Sequence, residues 1–193
     1  MLEKIGRAAG LAACGGLLAG CSVLSSLSAP DMRMGAAPAP AVAAAPFTAV
    51  EREFVTKVAA KGMYEVEVSR LAVEKAQSPA VRDYARTMVT HHTQMNNEVI
   101  GLMSARGIAP PKNLSADKAT KLHRLASLPP SDAFDNGYIR VVGVEDHKSE
   151  IAMFEKARRE VKDKDLRAYI DRTLATMKMH LQMAQGVIAG MQG

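Results

Sequence analysis

Between Phe47 and Ala189 apolar residues return every three to four positions, and no stretch alternates with a period of two. That spacing gathers them on one face of successive helices and leaves no strand to pair, so the expected fold class is all-α. Thr48 followed three residues later by Glu51 reads as a capping box and predicts a first helix reaching Ala76. Ser78 and Pro79 supply an N-cap and a proline at the first helical position, so a second helix starts almost without a loop, runs to Arg106 and stops at Gly107. Residues 108–130 hold Pro110-Pro111, a short helical stretch led by Ser115 and ending at Leu128, and Pro129-Pro130, which together predict a long crossover. A third helix follows Ser131 to about Val161, and a fourth runs from about Asp163 to Ala189. Helices of about 26–30 residues joined by short, long and short connections predict an antiparallel four-helix bundle with the crossover between helices two and three.

The first 46 residues follow other rules. Lys4 and Arg7 precede an uncharged Ala/Gly/Leu run from Ala8 to Gly20, a signal-peptide layout too short for a permanent membrane span. The run ends in Leu18-Ala19-Gly20-Cys21, the pattern of a bacterial lipobox, whose cysteine is acylated and becomes the mature N-terminus. Residues 1–20 are therefore expected to be a lipoprotein signal peptide, and residues 21–46, rich in Ala, Pro and Ser, a flexible tether from lipidated Cys21. An ordinary secretory signal cut near Ala19 is the alternative. The chain has two cysteines, Cys14 and Cys21, so the bundle domain of residues 47–193 has no thiol chemistry.

Composition narrows the rest. With 4% aromatic residues, no Trp and 12 Met, the expected core is aliphatic and thioether-rich, and no aromatic platform for stacking bases exists. A net charge of +5, from 25 cations against 20 anions, is too slight and too dispersed for a nucleic-acid footprint.

Written out at 100° per residue, each core line meets one strongly polar residue. The first passes through Phe54, Val58, Gly62, Glu65, Val68, Ala72 and Ala76; the second through Val81, Ala85, Met88, His92, Met95, Val99 and Met103. The fourth passes through Leu166, Ile170, Thr173, Met177, His180, Ala184, Val187 and Met191. On the third helix two lines compete. One runs through Val144, His147, Ile151, Phe154 and Val161, with Glu150 a turn on; the other through Phe134, Tyr138, Val141, Glu145 and Ala152. His147 is the preferred core residue and Glu145 the fallback.

Height offers a second test. Glu65 and His92 lie 13 and 14 residues from a first turn at Ser78, and His147 and His180 lie 16 and 17 from a second turn at Asp163. On the premise that both turns sit at one end, all four occupy one layer about 6 Å deep. One carboxylate and three imidazoles converging from four helices make a ligand set for a single transition-metal ion, Zn, Cu, Fe or Ni. Glu150, Met88, Met95 and Met177 are possible secondary contacts, although the methionines read first as gap-fillers in an aromatic-poor core and only second as thioether ligands. A buried Glu/His hydrogen-bond network without metal satisfies the same groups. His91, about 80° off the core line, and His123, in the crossover, are expected to face solvent.

At these residues the sequence resembles a known family. Gly62-Met63-Tyr64-Glu65-Val66-Glu67 with Leu71-Ala72, then Met88-Val89-Thr90-His91-His92, Asp146-His147 with Phe154-Glu155, and His180-Leu181 are similar to exported bacterial proteins catalogued as domain of unknown function 4142 and often labelled outer membrane proteins. The resemblance covers roughly residues 47–190 and implies a ferritin-like four-helix bundle, with Glu65, Glu67, His92, His147 and His180 at matching positions. Glu67 falls about 200° from the core line, which leaves Glu65 as the carboxylate candidate. Di-iron ferritins place a Glu three residues before His; here those positions are Val89, Val144 and Met177, so a mononuclear site is expected.

Two functions therefore compete. One is a periplasmic metal-binding lipoprotein held at the outer membrane rather than the inner, serving storage, sensing or stress. The other is a metal-free envelope interaction module whose polar layer sets register. Protein partners are not legible. An enzyme is the weakest reading, because no phosphate loop, placed nucleophile or open carboxylate pair is present.

Overall fold

A computed structural model describes residues 44–192, which lie in helices and short connections without a strand. Residues 1–43, on which the expected signal peptide, Cys21 and most of the expected tether fall, lie outside the described residues. Six α-helices follow among them: α1 Ala49–Lys75, α2 Pro79–Ser104, α3 Ala116–Ser127, α4 Asp132–Tyr138, α5 His147–Glu160 and α6 Lys164–Gly190, with a π-helical segment Ile139–Asp146 joining α4 to α5. None is long and apolar enough to cross a membrane.

The start and stop signals act as read. Thr48 caps α1, and the reciprocal bond from the Thr48 N–H to Glu51 Oε2 is 2.9 Å. Ser78 caps α2 with Pro79 behind it, and Gly107 closes that helix with φ 66°, a left-handed conformation that glycine adopts at little cost. α1 packs along α2, α5 and the π-helical segment pack against α6, and α2 faces α6, while α3 lies over α1.

Two buried carboxylates clamp the turns, and they show where the turns are. Asp135 of α4 accepts hydrogen bonds from the N–H groups of Gln77 and Ser78, at 3.2 and 2.7 Å, at the C-terminal end of α1. Glu51, in the first turn of α1, accepts from the N–H groups of Lys162 and Asp163, both at 2.9 Å. The α1/α2 turn and the α5/α6 turn therefore sit at opposite ends of α1, contrary to the premise of the height argument. The layer survives because helices of 26 and 27 residues place positions 13–17 from either end at mid-height.

The aromatic residues correct a second expectation. All eight are buried, and the largest fully enclosed side chains include Tyr64, Tyr84, Tyr138, Tyr169, Phe134 and Phe154. Phe54, Phe154 and Tyr169 gather with Met177 in one apolar cluster, whereas Tyr64, Tyr84, Tyr138 and Phe134 gather with Met88 in another. Scarcity of aromatics on this chain means none is left for the surface.

The π-helical segment explains why two core lines competed on the third helix. Before it, Phe134 and Tyr138 point inward; after it, His147, Glu150 and Phe154 do; within it Ile139, Val142 and Asp146 are buried and Glu145 is exposed. Each competing line is correct on its own side of the segment, because wider turns shift the phase of the buried face. Gly143 lets this segment approach α6: a Cβ there would meet Ala184 Cβ at 2.8 Å and the Tyr84 hydroxyl at 3.3 Å.

Burial raises the Glu51 carboxyl, but N–H donors from Asp163, Thr48 and Lys162 outweigh it and hold the pKa at about 2. The stabilisation is thus present above pH 4.5 and lost as pH falls toward 2. Glu51→Ala, which strands those backbone donors, should cost about 2 kcal/mol at pH 7 by urea unfolding. The difference from wild type should shrink steadily below pH 4.5.

Candidate metal centre

Each imidazole of the central layer reaches it from a different helical segment. His92 comes from mid-α2, His180 from α6, and His147 from the first position after the π-helical segment. All three are buried, at 2%, 0% and 0% exposure, and one ligand atom from each lies within 4.8 Å of the others. Three buried histidines so placed could hold a metal ion.

The hydrogen bonds fix which nitrogens are free. His147 Nδ1 lies 2.9 Å from the Val142 carbonyl, five residues back across the π-helical turns. A carbonyl only accepts, so Nδ1 carries the proton and Nε2 presents its lone pair to the core. His180 Nδ1 lies 3.3 Å from that Nε2 and donates to it; His91 Nδ1 lies 2.8 Å from His180 Nε2 and donates in turn. The result is a directed chain from His91 through His180 and His147 to a backbone carbonyl. His92 Nε2 stands outside it, buried and without a partner, 5.3 and 5.6 Å in ring-centroid distance from His180 and His147. A backbone carbonyl behind one imidazole and an uncommitted nitrogen on another are what a nitrogen-donor site needs.

Burial, followed by the neighbouring imidazoles, depresses both remaining histidines: His180 to about 3, and His92 well below its usual range. They stay unprotonated at neutral pH, the form that binds metal.

Glu65 is fully buried on α1, yet it does not join the three histidines within their mutual 4.8 Å reach. Its surroundings are carboxylates and amines instead. Burial first, then Glu150 and Asp146, push its carboxyl well above the usual range, against the pull of Lys118 and Lys61. Both of its oxygens lack partners, as do the hydroxyls of Tyr64 and Tyr84 and Asp146 Oδ2. A carboxyl so raised must lose its proton before it can ligate, so an ion there would bind at the cost of releasing it.

The other sequence candidates divide. Glu150 is buried and pairs with Lys61 at 3.3 Å. With His92, Met95, Met177 and Thr173, Glu150 lines a cavity of about 10 Å³, the size of one water. Met88 packs in the tyrosine-rich cluster away from that cavity. Glu145 and His123 are exposed. His91 was expected in solvent, but its half-buried ring stacks on His180, with centroids 5.1 Å apart and planes at 14°. A ring reaches sideways farther than an 80° offset suggests, and the His91-His92 doublet opposite a core His180 was the available signal. Asp146 was missed; the phase shift turns it inward, where it pairs with Lys121 at 2.8 Å and Lys118 at 3.5 Å.

A family model described as a domain of unknown function (DUF4142) matches residues 36–187. No curated protein matches the chain. Among solved structures it is similar to a DUF305 fragment from Deinococcus radiodurans, with a TM-score of 0.66 and 16% identity over 75% of this chain and 99% of that one. At that identity the likeness speaks for the fold alone.

Because His180 is held at about 3 while an unfolded histidine titrates near 6.5, the unfolded chain takes up protons first as pH falls. Stability is therefore full above pH 6.5 and declines toward pH 3. Between pH 7.5 and 5 the metal-free protein should lose about 2 kcal/mol more than a His180→Gln variant, read from urea unfolding. Parallel profiles would show that His180 titrates normally in the fold.

Proposed function

Since the chain belongs to the domain of unknown function 4142 family, whose description carries no activity, we propose its function from the site: binding of one transition-metal ion through His92, His147 and His180. Glu150, which lines the same small cavity as His92, is the carboxylate at hand, while Glu65, buried on α1, stays outside the reach the three imidazoles share. The observation that carries the proposal is the buried triad itself, with a partnerless His92 Nε2 inside it. An all-imidazole set suits Zn, Cu, Ni or Fe rather than Mg or Ca.

We read the scaffold as an antiparallel four-helix bundle of ferritin-like type, with the third long helix made of α4, the π-helical segment and α5, and with α3 in the crossover. Support comes from paired contacts. Glu98 pairs with Arg172 while His91 meets His180, so α2 and α6 run in opposite directions. Arg158 with Asp171 and His147 with His180 show the same for α5 and α6. Leu18-Ala19-Gly20-Cys21 supports export and lipidation at Cys21, which would hold the domain in the periplasm at the outer membrane by a tether ending near residue 46. Storage, sensing or handover of metal in the envelope is the role this arrangement fits.

One observation favours the metal-free alternative, an interaction module with a structural core network. The chain from His91 to Val142 satisfies three imidazoles with no ion.

Elemental analysis decides between the two. Full-length protein purified without an affinity tag from its own envelope should carry about one equivalent of a transition metal, and His92→Ala or His180→Ala should fall below about a tenth. Returning that metal at a hundredfold excess over its dissociation constant should stabilise wild type by about 2.7 kcal/mol and leave the variants unmoved. Less than about a tenth of an equivalent on wild type would leave the interaction module standing.

A further inference from the structure

The triad is sealed, which raises the question of how an ion would reach it. Two cavities meet on its α2–α6 side. The inner one, of about 10 Å³, is lined by His92, Met95, Thr173 and Met177 among others. The outer one is a surface groove of about 240 Å³ between α2 and α6, with His91, Met95, Thr173 and Met179 in its walls. Met95 and Thr173 line both, so these two side chains stand between the surface groove and the inner cavity beside His92.

The chemistry of the groove grades inward. Met179 is 39% exposed and offers a thioether at the opening. His91, half-buried, is the only imidazole of the layer that reaches the groove, and its Nδ1 lies 2.8 Å from His180 Nε2. The Glu98–Arg172 ion pair spans the same groove from α2 to α6. Unbranched methionine, with three rotatable side-chain bonds, can swing aside without moving the backbone. Thioether and imidazole together favour soft and borderline ions over Mg or Ca.

We propose that this groove is the metal-entry portal: His91 captures a transition-metal ion at the surface, Met95 is the movable gate, and the ion passes to His180 and the buried triad. The inference rests on the metal-binding reading above. While empty, His91 donates to His180; with an ion at the portal it turns to present a nitrogen lone pair, and the freed His180 Nε2 is the next donor inward. His91 is a capture residue and not a permanent ligand, which separates its effect on rate from any effect on final occupancy.

Stopped-flow absorption with Co(II) alone, whose visible bands report imidazole coordination, tests the proposal on the full-length protein. Wild type should bind Co(II), and His91→Ala should bind the same amount at equilibrium at least about tenfold more slowly. Met95→Ile, close in volume but branched and stiff at χ1, should slow binding and release by similar factors and leave affinity unchanged. Rates within twofold of wild type in both variants, with normal final binding, would overturn the portal and leave the triad standing. Lost equilibrium binding in His91→Ala would also overturn it, by making His91 a permanent ligand. Absence of Co(II) binding to wild type would overturn both the portal and the metal-binding reading beneath it.

Discussion

Enclosing imidazoles and carboxylates at mid-height in a helical core sets the constraint to which the rest of the structure answers. A buried polar atom without a partner costs about 1–3 kcal/mol, so the chain must either satisfy such groups or keep them for a ligand. The π-helical segment meets part of that demand. Its wide turns expose the Val142 carbonyl to His147 Nδ1, turn Asp146 and His147 inward in succession, and at Gly143 let α6 come close enough for His180 to meet His147. The two apolar clusters then lie on either side of the layer, and the aromatic residues are spent there.

Position along the helices follows from the same need. A layer shared by α1, α2, α5 and α6 stays in register only if the helix ends are held, and buried carboxylates hold them: Asp135 over the α1/α2 turn, Glu51 over the α5/α6 turn. Arg106 adds a third link near the Glu51 end, where its guanidinium meets Asp163 at 2.7 Å and lies over the Phe47 ring. These contacts are remote from the imidazoles, yet a slip of one residue along α6 would carry His180 about 1.5 Å up the axis and about 100° around it.

Local signals in the chain were legible because each is settled by neighbouring residues alone. Thr48 with Glu51, Ser78 with Pro79, and Gly107 mark their helix ends without reference to the tertiary fold. His92, His147 and His180 were legible because a polar residue on an apolar line stands out at any distance. What needed the third dimension was lost. A π-helical segment has no composition of its own, and it announced itself only as two core lines that could not be reconciled. Chain length alone does not tell which way a crossover runs, so the end at which each turn sits is not legible in the sequence. The angle along α2 points His91 to solvent, although the decisive quantity is the 2.8 Å from its Nδ1 to His180 Nε2 on another helix.

The metal-binding reading, the directed imidazole chain and the portal all depend on which atoms meet at the layer. The imidazole chain leaves His92 Nε2 as the uncommitted nitrogen, while His147 Nε2 takes an ion once it gives up the hydrogen bond from His180. X-ray absorption at the K-edge of a metal loaded into the full-length protein reads that coordination directly. Three imidazole nitrogens at about 2.0–2.1 Å, reduced to two in His147→Ala, is the expected result. Coordination by oxygen donors alone, unchanged in His147→Ala, would place the ion elsewhere and reduce the buried histidines to a structural network.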